Sequence, residues 1–401
     1  MGKEPLKVSD LKTPAQGHAT YEGVQALRFF AAFLVLINHS TYYASERLLP
    51  GTGFWQQGAT GVNIFFVISG FVMVVSTLTL RDRADGWKIF ALHRLSRIVP
   101  LYWAATSFKL AVFILLPSAI LHSQFDIFHI VSSYFFIPTV NAEGEFKPFL
   151  AVGWTLYFEM FFYGLFALAL YLRCNLYYFL GTVLLMFASL SMYRTEAVAA
   201  TMFFDPIVLQ FYFGMLVAWT SLQADALKKV TVRFPIVPAL LSLLGTVLLL
   251  VPFEVPGLAE AFRTGVPATM IVLGVVLLEP HLRGRLPKTL LLLGEASYAI
   301  YLFHPLIAPA IPEILLKMNI LNYSLSTILS ICLATWVGTL IHLYFEKPMT
   351  HLLRSKTKIR PASPRRNIVD GTVRTDGRTG GVSSVARGRS KVTADFRKIA
   401  D

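Results

Sequence analysis

Stretch after stretch of this chain is apolar over lengths that cross a lipid bilayer, and nothing else limits its fold so tightly. A hydrocarbon core ~30 Å thick takes about 20 residues of helix, and about ten such segments can be placed. They lie near 24–43, 58–79, 98–117, 150–172, 175–193, 199–222, 236–252, 264–280, 290–310 and 323–345. Backbone polar groups cannot stay bare in lipid, so each segment must close its own hydrogen bonds as a helix. The residue balance agrees. Of the chain, 55% is hydrophobic, 13% aromatic and only 15% charged, against roughly 25% charged in soluble domains. The expected fold is an all-α integral membrane bundle of about ten transmembrane helices.

Lys and Arg gather in alternate short loops, which sets the orientation. Arg81, Arg83, Lys88, Arg94 and Arg97 follow the second segment; Lys228, Lys229 and Arg233 follow the sixth; Arg283, Arg285 and Lys288 follow the eighth. Arg173 after the fourth agrees, so both termini are expected in the cytoplasm. The first 20 residues lack the charged-then-apolar pattern of a cleaved signal, which leaves the first span to direct insertion. The chain therefore divides into a cytoplasmic N-terminal segment (1–20), a transmembrane domain (21–350) and a basic tail (351–401) whose composition favours disorder.

The tail inflates a net charge of +13 and reads as topogenic or headgroup-associated, not as a nucleic-acid surface. Cys174 and Cys332 are isolated, so neither a disulfide framework nor a metal site is expected. No phosphate-cradling glycine loop or internal repeat is visible. Residues 126–140, DIFHIVSSYFFIPTV, are short for a span and end near Pro138; they read as a helix at the outer interface.

Ionisable side chains within spans are expensive and suggest function. The first segment, VQALRFFAAFLVLINHSTYY, holds Arg28 and His39, roughly 16 Å apart along a helix. Counting from span centres at about 1.5 Å per residue places His39 roughly 7 Å outward, Glu159 roughly 3 Å and His304 roughly 6 Å, with Asn63 near the height of His39. Arg28 falls roughly 9 Å inward, and Arg94 and Arg97 enter the third span on one helix face. Guanidinium groups there suit a phosphate-bearing ligand, because they stay charged and bind in a fork.

Structural readings stand beside these. Arg28 fits a side chain snorkelling to headgroups, and Arg94 and Arg97 fit plain positive-inside residues. His304, just before Pro305, fits a ring satisfied by freed carbonyls. Asn63 fits interhelical glue, and Ser69, before Gly70, a small packing residue. The constellation is more specific than any member.

Its ordered motifs carry a family resemblance. Arg28 and His39, followed by GVNIFFVISGF (61–71), RLSRIVPLYW (94–103), WTLYFEMFFY (154–163), LGEASYAIYLFHPL (293–306) and YFEKPM (344–349), resemble the bacterial membrane acyltransferase-3 family over about residues 20–350. The overall look is nearest its exopolysaccharide group. The resemblance implies O-acylation, most often O-acetylation, of an extracytoplasmic or lipid-linked carbohydrate by a cytosolic acyl-CoA in the bacterial inner membrane. Family motifs map onto Arg28, His39, Arg94, Arg97, Glu159 and His304; many members carry Asp where this chain has Asn63.

The residues suit that chemistry. Moving an acyl group from acetyl-CoA to a sugar hydroxyl needs a base and an oxyanion donor, and no metal. Histidine is the usual base. The expected assignment is His39 as base, Glu159 orienting it, His304 as a second acid/base group or sugar contact, and Asn63, Ser69 or a backbone N–H as oxyanion donor. Arg28, Arg94 and Arg97 hold the CoA phosphates. Two other classes stay open: a transporter or flippase for a lipid-linked saccharide, since intramembrane His, Glu and Arg also mark carriers, and a non-catalytic scaffold for polysaccharide assembly.

Overall fold

The computed structural model describes residues 21–356, apart from 118–119, 121–123, 142, 196–197, 224–230 and 252–259. The segment 1–20, Lys228, Lys229 and the tail beyond 356, with its expected disorder, lie outside the described residues. Among those residues the chain is helical, with one isolated antiparallel bridge between Val140 and Phe146.

Each expected span corresponds to a helix. In chain order these are α1 (Glu22–Tyr43), α2 (Gly61–Ser76), α3 (Gly86–Leu115), α4 (Ile127–Tyr134), α5 (Trp154–Leu172), α6 (Leu176–Ser189), α7 (Leu209–Gln223), α8 (Ile236–Leu250), α9 (Glu260–Leu282), α10 (Lys288–Ile307), α11 (Ala310–Lys317), α12 (Tyr323–Ile341) and α13 (Lys347–Lys356). One π turn, Ala44–Leu48, prolongs α1, and another, His342–Glu346, joins α12 to α13. Seven helical stretches are long and apolar enough to cross a membrane among the described residues. The other three, α6, α7 and α8, have 14, 15 and 15 residues. Such helices reach only ~21–23 Å, short of a ~30 Å core.

Three boundaries differ from those expected. The third helix begins at Gly86, not near 98, so Arg94 and Arg97 sit within a continuous helix and not at its loop entry. The helical domain passes the expected limit at 350, because α13 continues to Lys356. The segment 126–140 forms only the eight-residue α4, too short to cross. Its Asp126 carboxylate accepts from the backbone N–H groups of Phe128 and His129, at 2.9 and 3.3 Å, which starts the helix. One face buries His129, Ile130, Ser132 and Ser133, while Ile127, Phe128, Val131 and Phe135 stay exposed and apolar. That pattern fits a helix lying on the membrane surface.

Close helix approach sets the positions that matter for the site. A Cβ on Gly294 of α10 would lie 2.1 Å from the Gln25 carbonyl of α1, and one on Gly70 of α2 would lie 1.9 Å from the Phe211 carbonyl of α7. Only glycine allows these backbones to touch, the usual device of helix packing in lipid. The first turn of α1 is held from α9: Glu279 accepts from the N–H groups of Glu22 and Gly23 at 2.8 and 2.9 Å. A carboxylate there satisfies donors that a helix start leaves open.

Candidate active site

The contact of α1 with α10 brings His39 and His304 together. His304 is fully buried, and its Nε2 lies 3.1 Å from His39 Nδ1, with ring centroids 4.8 Å apart. The same Nδ1 lies 3.1 Å from the Val35 carbonyl. A carbonyl only accepts, so His39 Nδ1 carries the hydrogen and shares it between Val35 and His304. His304 Nε2 is then an acceptor. His39 Nε2 keeps its lone pair, which is what a general base needs.

A second polar group lies beyond Tyr301. Arg28, Arg94, Arg97, Ser69, Glu159, Tyr163 and Tyr301 line one cavity with apolar side chains such as Phe65, Phe66 and Met73. It holds about 800 Å³ of empty space up to and including its mouth. Neither histidine lines it, but the Tyr301 ring stands 5.9 Å from that of His304 and links the two groups. Arg94 donates from Nη2 to Ser76 Oγ at 2.6 Å and lies over the rings of Phe90 and Tyr163. Arg28 and Arg97 form no hydrogen bond or ion pair with any other described residue, although both line the cavity.

Two expected partnerships do not form. Glu159 does not orient His39: its Oε1 accepts from Ser69 Oγ at 3.2 Å and from Tyr163 Oη, and it lies within electrostatic range of Arg28 and Arg94. Hydroxyl donors and guanidinium charge draw the carboxylate to the cavity, not to the histidines. Asn63 does not join the site either. Its Nδ2 donates to Gln210 Oε1 at 3.1 Å and Thr264 Oγ1 at 2.9 Å, tying α2 to α7 and α9. Both amide hydrogens are committed, so Asn63 has none to offer an oxyanion.

Other polar residues escaped the sequence reading. Tyr163 and Tyr301 carry no charge that sets them apart from the chain's other aromatics, although Tyr163 stands one helical turn after Glu159. His342 bonds Glu346 at 2.7 Å through the π turn, and Glu295 holds Lys347 Nζ at 3.2 Å and Gln25 Nε2 at 3.3 Å. Glu346 is within electrostatic range of Arg28. A π turn often marks a functional place in a helix, but no residue pattern announced it.

A family model described as an acyltransferase domain, acyltransferase-3, matches residues 21–343. The chain belongs to the acyltransferase-3 family. It is similar to the exopolysaccharide production protein ExoZ of Rhizobium meliloti (strain 1021), with 32% identity over 308 residues, 75% of this chain and 92% of the relative. No solved structure matches. Family membership makes the chain a membrane acyltransferase, and the carrier and scaffold readings lose their support.

Proposed function

We propose that the protein moves an acyl group, most often acetyl, from cytosolic acyl-CoA to a hydroxyl of an extracytoplasmic or lipid-linked carbohydrate such as exopolysaccharide. The setting is a bacterial inner membrane, crossed about ten times with both termini inside. One observation carries the reading: Arg28 and Arg97, which have no hydrogen-bond acceptor among the described residues, line a cavity that Tyr301 joins to a histidine pair with a free base nitrogen. The likeness to ExoZ supports the exopolysaccharide acceptor.

His39 Nε2 takes the proton of the acceptor hydroxyl as its oxygen attacks the thioester carbonyl. The positive charge that develops on His39 is stabilised by its Nδ1–H bond to His304 Nε2 and the Val35 carbonyl. Collapse of the tetrahedral intermediate breaks the carbon–sulfur bond, and the proton on His39 passes to the leaving sulfur. The products are free CoA and the O-acyl sugar. Of the side chains expected to stabilise the oxyanion, Ser69 alone faces the cavity, and its hydroxyl serves once it turns from Glu159. Arg28, Arg94 and Arg97 hold the phosphates.

Purified protein in liposomes, given radiolabelled acetyl-CoA and candidate lipid-linked oligosaccharides, should label the sugar and release CoA. His39→Ala should lower the rate on the order of 100-fold or more while folding and abundance are kept. Full activity in that variant sinks the base assignment. A cysteine-accessibility scan tests the topology, and a C-terminus reachable only from outside refutes it.

A further inference from the structure

The basic residues at the end of the helical domain read from sequence as part of a topogenic or headgroup-associated tail. The structure places one of them near the arginines of the site. Helix α13 packs against α3, the helix that carries Arg94 and Arg97, and it presents Arg354 on an exposed surface. Arg354 is within electrostatic range of Arg97 and of Arg94, and Arg97 is within range of Arg28. Four guanidinium groups therefore lie within electrostatic range of one another in a chain, three of them lining the cavity. Among the described residues, Glu159 lies within electrostatic range of Arg28 and Arg94, and Glu346 of Arg28.

Charges of one sign held together focus attraction for a multivalent anion. The arginines also differ in setting: Arg28, Arg94 and Arg97 line the cavity, whereas Arg354 does not line it and is exposed. The parts of an acyl-CoA donor come in order. Its thioester arm leads, a pyrophosphate follows, and a ribose 3′-phosphate lies at the far, nucleotide end. We propose that Arg354 binds the 3′-phosphate of the donor, so that α13 is part of the donor site and makes the enzyme prefer CoA to donors without that phosphate. This assignment rests on the acyl-CoA reading above, and adds to it a residue that selects the nucleotide.

The test compares acetyl-CoA with acetyl-3′-dephospho-CoA on the full chain in nanodiscs, using native protein, Arg354→Gln and Arg354→Lys. Native protein should show a KM about tenfold lower for acetyl-CoA, the scale of one charge-assisted phosphate contact at an exposed site. Arg354→Gln should raise the acetyl-CoA KM to the dephospho value with kcat kept, and Arg354→Lys should restore part of the difference. Binding of adenosine 3′,5′-bisphosphate, measured by calorimetry without turnover, should weaken in parallel in Arg354→Gln, while ADP binding is unchanged. If native protein uses the two donors equally, or if Arg354→Gln impairs both alike, the proposal falls and the transferase reading stands. Transfer from neither donor by native protein removes both.

Discussion

His39 and His304 spend ring nitrogens on one another and on Val35, whereas Arg28 and Arg97, on the other side of Tyr301, have no hydrogen-bond acceptor among the described residues. The histidine end is preorganised: its tautomer is set before any substrate arrives, as a base that must act at once requires. In the proposed reaction the arginine end is the binding site, whose charges are satisfied when an anion enters. One end holds a proton in a fixed place. The other, in the proposed reaction, would exchange a ligand each turnover.

Replacing His304 strikes the preorganised end. His304→Ala should lower kcat on the order of 100-fold with the acetyl-CoA KM little changed, and His304→Gln, whose amide oxygen can accept the His39 hydrogen, should recover part of the loss; equal rates for the two variants would count against the shared hydrogen. Arg97→Ala strikes the other end and should raise the acetyl-CoA KM about tenfold to 100-fold, the worth of a hydrogen bond to a charged group, with a smaller change in kcat. A change in kcat alone, measured at saturating donor, would erase the contrast.

Smaller effects sharpen it. Gly294→Ala forces α10 from α1 and should lower stability by about 1–3 kcal/mol, with an activity loss in kcat because the histidines separate; thermal unfolding and steady-state kinetics on one preparation read both. Asn63→Ala breaks a buried amide network outside the site and should lower stability by about 1–2 kcal/mol, leaving donor KM and acceptor preference as they were. An altered KM would return Asn63 to the site.

Much of this was legible in the chain because hydropathy and helical rise are one-dimensional. Counting along spans put His39 and His304 at one height, and the structure joins them. The same count put Glu159 and Asn63 nearby, yet both face elsewhere. Height along a helix says nothing of the direction in which a side chain points, and that direction depends on which helices neighbour it. Glu159 turns to Ser69 and Tyr163, Asn63 to Gln210 and Thr264. Arg354 was hidden for another reason: a basic run after the last apolar segment looks the same whether it trails away or folds back on α3.

The carboxylate of Glu279 on the first turn of α1 bears on the order in which the molecule is made. The helix that carries Arg28 and His39 leaves the ribosome well before the groups that hold it, Glu279 on α9 and the glycine face of α10. Until then α1 has neither its clamp nor the partner for His39. The histidine pair therefore forms only after α10 is made, and a chain halted before α10 carries the proposed base without the histidine that would poise it.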